Sequence, residues 1–463
     1  MSKAISRRNF LMATGAVGAA GLLAACGSKP AASSTASSAA SQAPAASADE
    51  SLALSDGPVN LSISWWGGDS RHAAYQSALE AFQAEHSNIT VEPTFAAWSG
   101  WEEKMAAAFI AGNAQDVCQV NWNWLYNYSA DGSKFVDLNT TSKFIDLTQW
   151  DAAAMDACYV ANSQQCVPVS MTGRIFYWNM TTFNKAGITE VPKSLDDLMA
   201  AGKAFQEKLG DDYYPMHLGA YDRMILMVFY LESKYGKDWA DPVTSTLNYT
   251  EEEIAEGLAF IKSLVDNHVM MNLKTYYSAN SDTATHQSNE WITGKIAGIF
   301  EWDSAASKYS SALDDSNKDG FTVGEEIKFG DNNGGFSKVS MGLAITKTCK
   351  NVAEAATLIN FLLNEEKGAS IMGSECGIPA SKAGLKFAQD AGAVKSLVAE
   401  ANAKVMAFTT NKLDPLFENN DLKASGTGIY QEVFDNIDYG DQTPEEAVET
   451  LLDLSLIHIS EPT

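Results

Sequence analysis

The chain has few basic residues, and this shortage excludes one class of partner. Its 463 residues include 32 lysines and arginines against 58 aspartates and glutamates, which gives a formal charge of −26 at pH 7. A protein this acidic repels phosphate backbones and anionic lipid surfaces. We therefore expect no nucleic-acid partner.

Cysteine and histidine are also scarce, with six residues of each. Cys158 and Cys166 flank a predicted hairpin turn, so a disulfide between them is geometrically possible. Cys118, Cys349 and Cys376 are interpreted as ordinary buried thiols, since their spacings match no metal pattern. No histidine lies at zinc-ligand spacing from another. We expect no cofactor and no metal.

One segment nevertheless matches a metal-binding pattern. Residues 315–326, DSNKDGFTVGEE, fit the calcium-loop expression, with oxygen donors at Asp315, Asn317, Asp319 and Glu326. Against calcium, Thr322 stands at the eighth position, where an apolar residue is usual, and no helix is predicted after the loop. An acidic loop that leads into a strand is the better interpretation.

Long apolar runs are missing as well. Arg7 and Arg8 precede an apolar run over residues 10–25, which is too short for a helix to cross the ~30 Å core of a bilayer. This pattern is typical of a signal peptide. The run ends in LAAC, which resembles a bacterial lipobox, so Cys26 is expected to be lipidated and to become the mature N-terminus. SRRNFLM resembles a twin-arginine signal with Met12 where lysine is common, so both export routes stay open.

Residues 27–56 are mainly alanine, serine and proline. They cannot bury enough apolar surface to offset their ordering entropy, so we predict a flexible tether. Together with the lipobox, the tether predicts a globular body held at the extracellular face of the bacterial cell membrane by a lipid anchor.

The body begins with an α/β unit. In residues 59–72, VNLSISWWGGDSRH, apolar and polar residues alternate at the period of a strand, with Trp65 predicted to face the core and Trp66 to face away. A glycine pair then turns the chain, and a helix follows with Tyr75, Leu79 and Phe82 on one face.

Two more strands and one helix follow in the order β-α-β, which is typical of a doubly wound sheet. Such sheets bind ligands outside the carboxyl ends of their strands. The Asn-rich third loop, NWNWLYNY, carries two tryptophans, and at least one is expected in the site because aromatic area on a loop needs a reason. The candidate ligand-binding residues in these loops are Trp66, Asp69, Arg71, Trp98, Asn121, Trp122, Asn123 and Trp124.

Helix signals dominate the later chain. Ser194 and Thr250 are predicted N-caps, a single long helix is predicted over residues 352–372, and a final helix begins after Thr443. Residues 455–463, SLIHISEPT, do not continue the amphipathic pattern and are interpreted as a non-native tail.

Five segments in this order resemble family 1 of the extracellular solute-binding proteins of carbohydrate ABC transporters, the maltose-binding-protein-like family. They are WWGGD, AGNAQDV, VPVSMTGRIFYWNMTTFNKAGI, TGKIAGIFEW, and GLAITKTCKNVAEAATLINFLLNEE followed by GIPAS. The resemblance covers residues 59–454.

The resemblance implies an α/β, two-lobed, type II periplasmic-binding-protein-like fold. Each lobe is a sheet flanked by helices, and the ligand lies in the cleft between the lobes. The implied boundaries are residues 1–26 for the signal peptide, 27–56 for the tether, 57–170 with about 327–373 for the first lobe, and 171–326 with about 374–454 for the second. Asp69 and Asn123 are implied ligands for sugar hydroxyls, Trp302 is an implied stacking platform, and Tyr221 falls near another aromatic site position.

The implied function is that of the substrate-binding component of an ABC importer. It would close its lobes on a sugar or oligosaccharide and deliver it to the permease, as a monomer and without catalysis. The residues agree, because a pyranose has an apolar C–H face for aromatic rings and a hydroxyl edge for polar groups. Rings come from Trp66, Trp98, Trp122, Trp124 and Trp302, and polar groups from Asp69, Arg71, Asn121, Asn123 and Asp303.

Two alternatives stay open. A protein of the same fold could bind a peptide or a polyamine. A secreted carbohydrate-active hydrolase would need two carboxylates across one bond, for example Asp69 and Asp303, but these would come from separate lobes whose spacing changes on closure. The sequence has no GxSxG, HExxH or phosphate-loop motif.

Overall fold

The structure is a computed structural model, and it describes residues 51–98, 100–241, 246–281 and 283–460, without the side chains of residues 416 and 453–460. The predicted signal peptide, Cys26 and most of the predicted tether lie outside the described residues. Where the tether meets the body, the Ser55 amide donates to Glu354 Oε1 at 2.6 Å.

Nine strands are described. They are β1 (Val59–Trp66), β2 (Ile89–Ala96), β3 (Val117–Val120), β4 (Tyr159–Val160), β5 (Ser163–Gln164), β6 (Val167–Asn179), β7 (Gly298–Trp302), β8 (Phe321–Val323) and β9 (Ser337–Ile345). The main sheet has the order β2-β1-β3-β9-β6-β7, with β8 paired to β6. β1 pairs in parallel with β2 and β3, as the predicted β-α-β-α-β order requires, and β9 returns antiparallel to β3 and β6.

The helices flank this sheet. The first nine are α1 (Asp69–Glu85), α2 (Trp101–Ala111), α3 (Trp124–Tyr128), α4 (Ala152–Asp156), α5 (Met180–Lys185), α6 (Leu195–Leu209), α7 (Ala220–Tyr235), α8 (Glu251–Asp266) and α9 (Leu273–Asn280). The rest are α10 (Asn289–Ile292), α11 (Ala306–Ala312), α12 (Val352–Asn364), α13 (Glu366–Met372), α14 (Lys382–Asp390), α15 (Ser396–Phe408), α16 (Asn420–Lys423), α17 (Ile429–Tyr439) and α18 (Pro444–Ser460).

Alternation along β1 places its apolar side chains in the core as predicted. Ile63 and Trp65 are fully buried, and Tyr75, Leu79 and Phe82 of α1 pack over the same sheet face. The predicted caps are confirmed, since Ser194 accepts from the Asp197 amide. Thr250 and Glu253 form a complete capping box.

β6 carries the chain from one lobe to the other. Up to Gly173 it pairs with β9, and from Arg174 it pairs with β7. Gly173 sits where α15 crosses closely, because a Cβ there would lie 2.5 Å from Val405 Cγ1. β1, β2, β3 and β9 therefore form the first lobe, and β7 and β8 belong to the second.

The predicted single helix over residues 352–372 is wrong, because the chain breaks at Glu365 into α12 and α13. Glu365 has an extended backbone, with φ −100° and ψ 144°. The two helices then approach closely, since a Cβ on Gly368 would lie 2.0 Å from the Phe361 carbonyl oxygen. α14 also packs on α12, with Gly384 against Leu363. α14 follows residue 373, where the first lobe was predicted to end, but it packs on a helix that precedes this boundary.

Cys158 and Cys166 flank the predicted hairpin of β4 and β5, but their thiols are free and buried. The turn between the strands is tight, with positive φ at Ala161 and Asn162. The possible disulfide is therefore not formed. Cys118, Cys349 and Cys376 are buried free thiols as predicted.

The calcium-loop match does not fold as a metal site. Asn317 is buried, where it accepts from Asn179 Nδ2 at 3.1 Å and donates to Asp314 Oδ1 at 2.9 Å. Within the described ranges, no group of three or more His, Cys, Asp or Glu side chains is placed to hold a metal ion. The segment runs through the short 3-10 turn Lys318–Gly320 into β8.

No helix in the described part of the chain combines the length and the apolar character that crossing a bilayer requires.

Candidate functional site

A buried ion pair stands where the two lobes meet. Lys338 lies near the start of β9, and Glu418 ends the short 3-10 turn Pro415–Glu418. Lys338 Nζ lies 2.5 Å from Glu418 Oε1, and the two side chains are only 6% and 2% exposed. Burial opposes ionisation of Glu418, but the ammonium groups of Lys338 and Lys423 outweigh it and lower the pKa of Glu418 to about 2. The carboxylate is therefore charged at neutral pH.

Glu418 touches both lobes. From the loop after β3, Asn121 Nδ2 donates to Glu418 Oε2 at 3.3 Å, and Asn123 Nδ2 donates to the Glu418 carbonyl at 2.9 Å. From α7 of the second lobe, the Tyr221 hydroxyl donates to Glu418 Oε1 at 3.0 Å. The first lobe and the second lobe thus converge on one carboxylate.

Aromatic rings surround this point, and cations lie over their faces. Lys338 Nζ lies 4.7 Å from the centroid of the Trp302 ring and 5.4 Å from that of Trp122. The guanidinium of Arg174 lies 4.2 Å from Trp302 and 5.6 Å from Tyr221. Cations over ring faces at these distances are attracted by the ring quadrupole.

The side chain of Lys423 extends the site toward the first lobe. Its Nζ lies 5.6 Å from the Trp98 ring and 3.5 Å from Glu102 Oε2. Trp98 is 41% exposed and meets Trp66 edge-on at 5.1 Å. Trp124 is fully buried, and its indole donates to Glu102 Oε1 at 2.9 Å.

Arg174 is held in place by two carboxylates. Its NH2 lies 2.7 Å from Asp222 Oδ1, and its NH1 lies 2.8 Å from Glu301 Oε1. Glu301 is anchored in turn by the Tyr309 hydroxyl at 3.1 Å. The guanidinium is therefore fixed over Trp302 rather than free to rotate.

Several polar atoms at this junction lack a partner. Among the described residues, Asn121 Oδ1, Asn123 Oδ1 and Arg174 Nε are buried and have no hydrogen-bond partner. Such atoms cost about 1–3 kcal/mol each when left unsatisfied. The two amide oxygens could each accept a hydrogen bond from a polar ligand, and the guanidinium Nε could donate one.

The structure brings five predicted site residues together around Lys338 and Glu418. These are Asn121, Trp122, Asn123, Tyr221 and Trp302. Trp66, Trp98 and Trp124 form an adjoining ring cluster in the first lobe. In this cluster the Trp124 indole is fully buried and donates its hydrogen bond to Glu102.

The other three predicted residues have different surroundings. Asp69 is exposed as the first residue of α1. Arg71 donates to the carbonyls of Trp66 and Glu375. Asp303 is 1% exposed and accepts from Thr172 Oγ1 at 2.5 Å and from Asn402 Nδ2 at 2.6 Å, so its carboxylate links the crossing strand to α15.

The cations of the site and the carboxylates that pair with them were not predicted from the sequence. Arg174 and Lys338 lie within apolar strands, and in a chain with so few cations this placement was a usable signal. Glu418 and Lys423 lie in a polar segment with many charged residues, and no local pattern singles them out. Together with the aromatic rings, these residues form a site suited to a ligand with apolar faces and anionic groups.

Comparisons with known proteins agree with this architecture. A family model described as "Bacterial extracellular solute-binding protein" matches residues 68–369. A periplasmic oligogalacturonide-binding protein from Yersinia enterocolitica, solved in complex with saturated digalacturonic acid, is 33% identical. That comparison covers 88% of this chain and 100% of the other, with a TM-score of 0.81.

Two further relatives support the same grouping. A periplasmic solute-binding protein from Pectobacterium atrosepticum is 32% identical over 86% of this chain and 98% of its own, with a TM-score of 0.81. A binding protein from Brucella abortus is 21% identical over 209 residues, 44% of this chain. The chain spans about half the length of that curated relative, 49%. The two lobes, the crossing strands and the family match show that this chain belongs to the bacterial extracellular solute-binding proteins.

Proposed function

We propose that the protein binds an acidic oligosaccharide, built from uronic acid units, between its lobes and serves its import. The observation that carries this proposal is the placement of Lys338 and Arg174 over the rings of Trp302 and Trp122. Aromatic rings suit the C–H face of a pyranose, and buried cations suit a sugar carboxylate. A neutral sugar would use the rings but not the cations.

The relative from Yersinia enterocolitica supports this ligand class. That protein binds oligogalacturonides, and a galacturonide carries one carboxylate on each sugar unit. The comparison covers 100% of that relative and 88% of this chain. The family itself supports the role of a solute-binding protein.

The import role rests on the family and on the N-terminal sequence. We propose that lipidated Cys26 anchors the protein at the extracellular face of the membrane and that residues 27–56 form a flexible tether to the body. A bound sugar would hold the lobes closed, and the closed monomer would deliver it to the permease of an ABC importer. The protein would release the sugar to the permease chemically unchanged.

The polyamine alternative is disfavoured because the carboxylates that could bind a polycation, Asp222, Glu301 and Glu418, are already paired with Arg174 and Lys338. The hydrolase alternative is disfavoured because Asp303 is committed to Thr172 and Asn402, while Asp69 is exposed on α1. These two carboxylates do not share the setting that a glycosidic bond would need.

A ligand screen with product analysis tests the proposal. Purified residues 51–454 are heated in a thermal-shift assay with digalacturonic acid, neutral disaccharides, spermidine and a tripeptide. We expect digalacturonic acid to raise the melting temperature saturably and to be recovered unchanged by chromatography. Stabilisation by spermidine or the tripeptide alone, or consumption of the sugar, would replace the proposal by one of the alternatives.

A further inference from the structure

We infer that the Glu418 carboxylate occupies the place of a ligand carboxylate and must leave it when an acidic sugar binds. This inference rests on the proposed function and adds a specificity-determining residue to it.

The donors around Glu418 form a carboxylate-binding site. Lys338 Nζ, the Tyr221 hydroxyl and Asn121 Nδ2 reach its two oxygens at 2.5, 3.0 and 3.3 Å. Lys338 and Asn121 come from the first lobe, and Tyr221 comes from the second lobe. A ligand carboxylate held by the same donors would join both lobes, as a ligand that closes the cleft must do.

Glu418 also contacts the predicted sugar-binding groups. Asn123 is fully buried, Trp122 is 4% exposed and Asn121 is 7% exposed. Both asparagines donate to Glu418 through Nδ2, and their oxygens are buried without a partner. A ligand that takes the place of the Glu418 carboxylate would therefore meet both amides.

Glu418 differs from the other carboxylates of the site in its place in the fold. Asp222 lies in α7 and Glu301 in β7, and both hold Arg174. Glu418 ends a four-residue 3-10 turn, which α16 follows after a single residue. The turn is held by Phe417, which is buried and whose carbonyl accepts from the Tyr430 hydroxyl at 3.0 Å. The group that leaves is therefore the Glu418 side chain and not the turn.

This arrangement selects for acidic sugars. A neutral sugar that displaced Glu418 would leave the Lys338 ammonium buried without a counter-ion, which is strongly unfavourable. A uronate supplies the missing negative charge and restores the pair. Glu418 therefore raises the cost of binding for neutral sugars more than for acidic ones.

Calorimetric titration of three proteins tests the inference. Wild type, Glu418→Gln and the control Glu400→Gln are titrated with digalacturonic acid and with its neutral counterpart, digalactose. Glu400 is half exposed and pairs with Lys404 away from the ring cluster, so its substitution controls for loss of one negative charge. We expect Glu418→Gln to bind digalacturonic acid at least tenfold more tightly than wild type, because the competing carboxylate is gone, and Glu400→Gln to match wild type.

These titrations distinguish a failure of the inference from a failure of the proposed function. Wild type that binds digalacturonic acid, with equal or weaker binding by Glu418→Gln, would overturn the inference and leave the function standing. Wild type that binds neither sugar would overturn the function and the inference with it.

A second measurement covers the case in which Glu418→Gln does not fold. A crystal structure of the wild-type protein with digalacturonic acid is expected to show a sugar carboxylate on Lys338 and Glu418 beyond hydrogen-bond distance from it. If Glu418 remained paired to Lys338 in that complex, the inference would be wrong.

Discussion

Arg174 and Trp302 are register partners in the ladder between β6 and β7, and the Arg174 guanidinium lies 4.2 Å from the centroid of the Trp302 ring. Arg174 is also the first residue of β6 beyond its pairing with β9. One strand register therefore sets both the crossing between lobes and the stacked pair at the cleft. A slip of one residue between the two strands would put these two side chains on opposite faces of the sheet.

The Trp302 ring is expected to carry a large part of the affinity for sugar. Trp302→Ala should weaken binding of digalacturonic acid by at least about 2 kcal/mol, roughly thirtyfold, because it removes the ring face that Arg174 and Lys338 border. Calorimetry measures the change, and circular dichroism checks that the variant is folded.

Trp65→Phe is the matched control for that substitution. Trp65 is fully buried, stacks on Tyr75 at 4.5 Å and donates to His72 Nδ1 at 3.1 Å. We expect the control to lower the free energy of unfolding by about 1–3 kcal/mol and to leave affinity unchanged. Equal losses of affinity in the two variants would contradict the assignment of the rings.

The Arg174 guanidinium is also expected to stabilise the folded protein. Arg174→Ala leaves the carboxylates of Asp222 and Glu301 without the cation between them, so the free energy of unfolding should fall by about 3–5 kcal/mol. Lys203→Ala removes an exposed pair with Glu207 at 3.8 Å and should cost less than about 0.5 kcal/mol. Urea denaturation compares them, and similar losses would show that Arg174 has no special structural role.

Acid should lower the free energy of unfolding, in part because Glu418 becomes protonated. Burial opposes its ionisation, but Lys338 and Lys423 lower its pKa to about 2 in the folded state, against about 4.5 when unfolded. A lowered folded-state pKa gives stability that is complete above pH 4.5 and is lost as the pH falls toward 2, about 3 kcal/mol in all. The stability difference between wild type and Glu418→Gln, measured in urea, should therefore shrink between pH 5.5 and pH 3. A difference that stayed constant would contradict the assigned ion pair.

Membrane attachment is expected to depend on Cys26. In a bacterium that exports the full chain, Cys26→Ser should shift the protein from the membrane fraction to the soluble fraction, because no acyl chain can be attached. Cys118→Ser is the control, since its thiol is buried in the body. Metabolic labelling with a fatty-acid analogue followed by fractionation measures both. Labelling that persists in Cys26→Ser would rule out the predicted anchor.

Much of the fold could be predicted because its signals are local. Alternation in β1 and the Thr250–Glu253 capping box each involve residues within one element or at its end. The break at Glu365 was missed although residues 364–368, NEEKG, carry no apolar side chain and end in a glycine. Gly368 lets the two helices approach closely, since a Cβ there would lie 2.0 Å from the Phe361 carbonyl oxygen.

The site was predicted only in part, for a related reason. Aromatic and amide side chains at strand ends, such as Trp122 and Asn123, follow from the rule that loops at the carboxyl ends of strands bind ligands. Lys338 and Glu418 meet across 80 residues of sequence, and no pattern near either residue indicates the partner. Trp124 shares its loop with Trp122, but the turn into α3 buries its indole against Glu102.

The most direct test of the central claim is a calorimetric titration of the wild-type protein with digalacturonic acid and with digalactose. The account predicts one site with a micromolar dissociation constant for the acid, and binding at least tenfold weaker for the neutral sugar. Equal affinity for both sugars, or tighter binding of digalactose, would contradict recognition of a sugar carboxylate by Lys338 and Arg174.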